Sequence, residues 1–143
     1  MRPAALLLPA ITGALLAGCA ASPADTARAQ QAQQATADAL QRRLAGLTPG
    51  EPQACLPQSL LPSSGVQTKG YGSTILYVVG RDLIYRNDTT GGCERIAQSD
   101  ILVTRQLQGR ACRGDIATTV DPTSRMQTGS CAFGDFVPYR RVK

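Results

Sequence analysis

The sequence of 143 residues contains no histidine and no tryptophan, and aromatic residues make up only 4% of it. Histidine is the side chain whose unperturbed pKa lies closest to neutral pH. Its absence excludes Ser-His-Asp and Cys-His catalytic sites and every metal site that uses an imidazole ligand. The chain is also too short for several large domains, so a multidomain enzyme is excluded as well.

Cysteine, glycine and proline are abundant for this length, with 5 Cys, 14 Gly and 9 Pro. Such a composition predicts a loop-rich fold held together by cross-links. Lys and Arg together number 15 against 10 Asp and Glu, which gives a net charge of +5. The excess is modest, and no stripe of basic and aromatic residues accompanies it, so we do not expect a nucleic-acid partner.

Residues 1–18 have the features of an export signal. Arg2 precedes an apolar run that is too short to span a bilayer as a permanent helix, and Pro9 interrupts that run. The run ends in Leu16-Ala17-Gly18-Cys19, which resembles the lipobox of bacterial lipoproteins. The alternative is an ordinary signal peptide with a cysteine near its cleavage site.

The lipobox resemblance implies that Cys19 is acylated through sulfur and becomes the first residue of the mature protein. Several acyl chains, such as palmitate, anchor a protein stably, whereas a single chain does not. The residue that follows Cys19 is Ala20 rather than Asp. By the same resemblance, this implies sorting to the outer membrane, where the protein faces the periplasm.

Residues 19–49 form a linker rich in Ala and Gln that is predicted to be helical. Ser22 is a suitable N-cap, Pro23 suits the first helical position, and Asp25 stands where a capping box has its acidic residue. Two interpretations stay open. The helix is either a tether between the membrane and the domain or a segment that packs on the domain or another chain through Leu40, Leu44 and Leu47.

The folded domain is assigned to residues 50–143, because all the aromatic residues follow position 70. Five strands are predicted, at Ser73–Gly80, Leu83–Arg86, Ile101–Leu107, Ile116–Val120 and Ala132–Tyr139. The first two form a hairpin, and the first is apolar on both faces, as is typical of a central strand.

In the fourth strand, Ile116, Thr118 and Val120 are expected to point inward. Pro138 in the last strand favours a place at the edge of a sheet. The predicted fold is mainly β, a small antiparallel sheet or partly open barrel with an N-terminal helical tether.

Four cysteines remain once Cys19 is assigned to lipid, and an even number in an oxidising compartment predicts two disulfides. In an up-and-down sheet, Cys93 and Cys112 lie at opposite ends of the third strand, roughly 25 Å apart, which is too far for a disulfide. Cys131, at the start of the last strand, lies at the same end of the sheet as Cys93 and opposite Cys112. Of the three possible pairings, the predicted one is therefore Cys93 with Cys131 and Cys55 with Cys112. A zinc site is the alternative, but these cysteines lack the close spacing that zinc sites use, and no metal or cofactor is predicted.

Three segments of the domain carry a family resemblance: Gly92-Cys93, Arg110–Ile116 and Cys131–Tyr139. Together they resemble a group of small exported cysteine-containing proteobacterial lipoproteins of unknown function. The resemblance covers about residues 55–139. It implies no catalytic residue, since no activity is established for the group.

The sequence only weakly supports two further kinds of functional site, a catalytic pair of carboxylates and a basic contact surface. The aspartates of the domain lie mostly at predicted strand ends and turns, where Asp commonly accepts local hydrogen bonds, so a catalytic carboxylate pair is not favoured. Arg140, Arg141 and Lys143 form a basic C-terminus. It is either a solvated tail or a contact for anionic lipid or peptidoglycan.

The sequence thus predicts a non-catalytic envelope lipoprotein, a binding or structural component at the outer membrane. Its partners are the membrane, through the lipid anchor, and an envelope protein or an anionic surface. An inhibitor of an envelope hydrolase such as lysozyme is the alternative function, although a basic domain would be repelled by a basic lysozyme. The oligomeric state stays open.

Overall fold

A computed structural model describes residues 22–60, 65–106 and 109–142. The predicted signal peptide, Cys19 and Lys143 lie outside the described residues. An α-helix, α1 (Pro23–Leu44), precedes the strands, and short 3₁₀ helices cover Gln58–Leu60 and Glu94–Gln98. In chain order, the strands are β1 (Thr48–Pro49), β2 (Gln67–Tyr71), β3 (Thr74–Val78), β4 (Leu83–Asp88), β5 (Thr90–Gly91), β6 (Ile101–Thr104), β7 (Ile116–Val120), β8 (Gln127–Ala132) and β9 (Phe136–Arg140).

The strands form two antiparallel sheets rather than one. The larger sheet has the order β1-β9-β4-β3-β2, and the smaller has the order β5-β8-β7-β6. The mainly β class is confirmed, and the described sheets do not close into a barrel. The expectation of a single last strand at Ala132–Tyr139 is wrong: the segment 133–135 separates β8, in the smaller sheet, from β9, in the larger one.

Strand β3 lies between β2 and β4 and contributes to both apolar clusters of the protein. Ile75 and Tyr77 belong to the main core, which also contains residues of the smaller sheet. Leu76 and Val78 point to the opposite face, where they belong to a second cluster with residues of α1. The prediction of a central strand covered on both faces is confirmed.

Helix α1 begins as the capping signals predict. The backbone N–H of Asp25 donates to Ser22 Oγ (3.1 Å), and the helix ends at Leu44. Its C-terminal half packs on the larger sheet through Leu40 and Leu44, whereas residues 22–35 are exposed on every side. The C-terminal half of the helix thus packs on the domain, which is one of the two interpretations, and the membrane tether stays a prediction. Of the helices described here, none has the length and apolar character needed to cross a membrane.

The predicted inward face of β7 is wrong. Ile116 is 56% exposed, whereas Ala117 and Thr119 are fully buried. Ala117 pairs with Cys131 of β8, so only a small side chain fits beside the disulfide of that cysteine. The hydroxyl of the buried Thr119 has a hydrogen-bond partner, since its oxygen lies 2.9 Å from the hydroxyl oxygen of Thr128.

Pro138 lies in β9, which is the strand next to the edge of the larger sheet. Its carbonyl accepts a hydrogen bond from the N–H of Gly50 (2.7 Å), so the backbone side that lacks an N–H faces β1. Because β1 has only two residues, the missing donor costs little. Pro138 is expected at the edge of a sheet, and only the two-residue strand β1 lies between its strand and that edge.

Candidate functional site

The four cysteines of the domain form the disulfides Cys55–Cys112 and Cys93–Cys131. This is the connectivity predicted from the order of the strands. Cys93 and Cys131 are buried in the main core, whereas Cys55 and Cys112 are half-buried. Buried disulfides of this kind cross-link the fold and offer no free thiol for chemistry.

The basic C-terminus contains Arg140 and Arg141, which the structure places in different surroundings. Arg141 Nε lies 2.8 Å from Asp82 Oδ1, and both side chains are largely exposed. Arg140 is exposed at the end of β9 and forms no ion pair within the described part of the chain. Lys143 lies outside that part, so the anionic-surface contact remains a prediction.

The aspartates of the domain are engaged with arginines or turn amides. Ion pairs link Asp82, Asp88, Asp100 and Asp135 to nearby arginines. Backbone and hydroxyl hydrogen bonds from Ser124 lower the pKa of Asp121 below its usual value. In residues 22–60, 65–106 and 109–142, no three acidic or cysteine side chains come together as metal ligands.

A groove runs between β2 and β6, the strands at the ends of the two sheets. We name it the β2–β6 groove. The described strands on its two sides do not pair with each other. One wall consists of Val66, Thr68 and Gly70, and the opposite wall of Leu102, Thr104 and Gln106.

One end of the β2–β6 groove deepens into an apolar cavity of about 90 Å³. Its floor is formed by Leu56, Leu60, Tyr77 and Ala111. The N–H of Leu56 donates to the carbonyl of Ala111 (2.8 Å), next to the Cys55–Cys112 disulfide. That disulfide thus holds the two segments of the floor together.

Tyr77 is the one polar residue in this floor. Its side chain is 8% exposed, and its hydroxyl has no hydrogen-bond partner among the described residues. Burial raises the pKa of Tyr77 far above its usual value, because the phenolate would lose its hydration. The phenol is therefore a neutral side chain with an unused donor.

The turn between β2 and β3 fixes which backbone groups of β2 face the groove. A two-residue turn beginning at Gly72, whose φ is +60°, pairs Tyr71 with Thr74. Hydrogen-bonded pairs alternate along such a hairpin. Counting back from Tyr71, the N–H and C=O groups of Thr68 and Gly70 point away from β3.

The same alternation applies to β6. The N–H of Phe133 donates to the carbonyl of Asp115 (3.1 Å), so Asp115 faces β8. Counting along β7, Thr118 faces β6, where it pairs with Val103. The backbone groups of β6 that point away from β7 are therefore those of Leu102 and Thr104. The residues that line the groove are thus also those with free backbone groups.

The sequence did not predict this site. None of the five predicted strands covers β2, whose residues precede the turn at Gly72-Ser73. The alternation of Val66 and Thr68 before the turn was the available signal. No protein-family model, curated protein or solved structure matches this chain.

Proposed function

We propose that this protein is a non-catalytic lipoprotein of the outer membrane that acts as a binding component of the cell envelope. The β2–β6 groove is the observation that carries the proposal. Its walls present free strand edges beside an apolar cavity, which is the construction of a binding site. The aspartates that lie in the described domain serve turns and ion pairs instead.

The chain around this groove suits an anchored protein. Attachment at Cys19 would leave residues 22–35 of α1 as an exposed segment between the membrane and the domain. Two disulfides, Cys55–Cys112 and Cys93–Cys131, suit an oxidising compartment. The lipid would thereby hold the binding domain at the membrane, and attachment would not depend on apolar side chains of the domain.

Mass spectrometry of the N-terminal peptide tests the anchor. We expect the protein purified from membranes to begin at Cys19 and to carry acyl chains. The Cys19→Ser variant should lose the lipid and appear in the soluble envelope fraction. An unmodified Cys19, or a chain that retains Met1, would contradict the proposal.

Cross-linking in living cells tests binding. A photoreactive benzoylphenylalanine replaces Thr68, which lines the groove, or Gln33, which is exposed on α1. Illumination should give a discrete cross-linked product from position 68 and none from position 33. Equal products at both positions, or none at either, would argue against a specific binding site.

Lysozyme activity measured with the purified protein tests the alternative function. If the protein does not act on hydrolases, an equimolar amount of it should leave the rate of cell lysis by lysozyme unchanged. Stoichiometric inhibition would replace the proposal with that of a hydrolase inhibitor.

A further inference from the structure

The β2–β6 groove combines two properties. Thr68 and Gly70 on one side, and Leu102 and Thr104 on the other, have backbone N–H and C=O groups that point away from the neighbouring strands β3 and β7. Beside them lies an apolar cavity of about 90 Å³. Backbone groups and an apolar cavity together match the requirements of an extended peptide, whose main chain pairs with an edge and whose side chains alternate.

From this match we infer that the groove binds an extended peptide segment of a partner protein, which adds to the free edge of β2 and inserts one aliphatic side chain into the cavity. The inference rests on the proposed function and names its class of partner. Thr68 is the central contact, because it both lines the cavity and carries free backbone groups.

The size of the cavity sets the inserted side chain. A cavity of about 90 Å³ is smaller than a cavity of about 150 Å³ that admits benzene, and this size suits one branched side chain such as that of leucine. The surrounding Leu56, Val66 and Leu102 are aliphatic, so an aliphatic side chain would bury apolar surface there. A charged side chain would lose hydration that the neutral groups of Thr68, Thr104 and Gln106 replace only in part. The site therefore selects an aliphatic residue over an acidic one.

The exposed edge of β2 also explains why the occupant is a strand. Gln67, Thr68 and Lys69 are exposed, and β2 ends its sheet. Natural proteins usually cover or blunt such an edge. Lys69 blunts the edge against unspecific pairing, while the free groups of Thr68 remain available to a strand that fits the cavity.

Isothermal titration with synthetic peptides tests the inference. The protein is the full mature chain carrying Cys19→Ser, and the probes are capped heptapeptides of alternating threonine and valine with leucine, glycine or aspartate at the centre. We expect the leucine peptide to bind at least about tenfold more tightly than the other two, as burial of one aliphatic side chain implies. Equal affinities, or no binding by any of the three, would overturn the inference.

Two substitutions at one position separate main-chain pairing from other contacts. Thr68→Pro removes the N–H that faces the groove, which proline tolerates on an edge strand. Thr68→Val retains that N–H and serves as the matched control. We expect Thr68→Pro to weaken the affinity for the leucine peptide at least about tenfold. Thr68→Val should change this affinity less than about twofold. Binding by Thr68→Pro equal to that of the unchanged protein would refute strand addition.

Ala111→Leu gives a second variant in case Thr68→Pro fails to fold. The added side chain fills the cavity, so binding of the leucine peptide should be lost while near-ultraviolet circular dichroism stays native. Retained binding by this folded variant would contradict insertion into the cavity.

The nature of the cellular cross-link at position 68 distinguishes the inference from the proposed function. A cross-linked polypeptide supports both. A cross-link to glycan, lipid or a small molecule would support the proposed binding function but would contradict the inference that the ligand is a peptide. The absence of any cross-link counts against both.

Discussion

Asn87 and Gly134 hold each other by reciprocal hydrogen bonds across the junction of the two sheets. Asn87 Nδ2 donates to the carbonyl of Gly134 (2.8 Å), and the N–H of Gly134 donates to Asn87 Oδ1 (3.2 Å). Asn87 is fully buried in β4, and Gly134 lies between β8 and β9. One side chain thereby fixes the point at which the chain passes from the smaller sheet to the larger.

Asn87→Ala should destabilise the protein by about 2–4 kcal/mol, because it leaves the buried N–H of Gly134 without its partner and opens a cavity. Urea unfolding followed by circular dichroism measures the change. Gln127→Ala, at an exposed strand position, is the control and should change stability by less than about 0.5 kcal/mol. Similar values for both variants would show that the reciprocal bonds contribute little.

Asp100 and Asp82 form ion pairs of very different burial. The Asp100 side chain is 2% exposed, accepts from Arg95 Nε (2.9 Å) and also accepts from the Thr128 hydroxyl. We expect Asp100→Ala to cost about 2–3 kcal/mol, because the Thr128 hydroxyl and the Arg95 guanidinium lose a buried partner. Asp82→Ala, in the exposed pair with Arg141, should cost at most about 1 kcal/mol. Equal losses of unfolding free energy for the two variants, measured by chemical denaturation, would refute the expectation that the buried ion pair contributes more.

Tyr77 should make stability depend on alkaline pH. Its pKa in the folded protein is raised above the value of about 10 found in unfolded chains. The unfolded chain therefore releases the phenolic proton first, and the contribution of Tyr77 is complete below about pH 10 and is lost as the pH rises further. In unfolding experiments between pH 9 and 11, the Tyr77→Phe variant should lose stability less steeply than the unchanged protein.

Tyr77→Phe also has an expected effect at neutral pH. The variant removes a buried donor that has no partner among the described residues, so its stability should equal or exceed that of the unchanged protein. A loss of more than about 1 kcal/mol would mean that the hydroxyl does have a partner in solution.

The two disulfides should differ in their reaction with a reductant under native conditions. Cys55 and Cys112 are half-buried, whereas Cys93 and Cys131 are buried in the main core. A thiol reagent must reach a sulfur atom in order to attack it. Alkylation followed by peptide mass spectrometry should therefore label Cys55 and Cys112 first, and earlier labelling of Cys93 and Cys131 would contradict the burial.

The cysteine pairing has its own test. Cys93→Ser should leave Cys131 as the thiol that reacts after unfolding, while Cys55 and Cys112 stay oxidised. Labelling of Cys112 in this variant would refute the connectivity.

The features that the sequence predicted well depend on local pattern. The apolar run of β3 showed that the strand is covered on both faces, because Ile75 and Leu76 fill adjacent positions on opposite sides. The capping residues Ser22 and Pro23 located the start of α1. The order of cysteines along alternating strands sufficed to pair them.

The features that it missed depend on contacts between distant segments. The predicted second strand ends at Arg86 and leaves Asn87 outside, because nothing nearby in the sequence indicates that the amide of Asn87 bonds to position 134. The alternation of Ile116, Thr118 and Val120 predicts that these residues point inward, but the small Ala117 lies opposite Cys131 and is buried instead. The β2–β6 groove requires knowledge of which strands end each sheet, and strand order is not a local property.

The smaller sheet also restricts which chains could share this architecture. Gly129 of β8 lies so close to the loop before the 3₁₀ helix Glu94–Gln98 that a side-chain carbon there would overlap the carbonyl oxygen of Gly92. A remote relative must therefore carry glycine at the matching position, two residues before its own counterpart of Cys131. That Gly-x-Cys spacing, taken with a buried asparagine some forty residues upstream, is a fingerprint by which divergent members could be recognised.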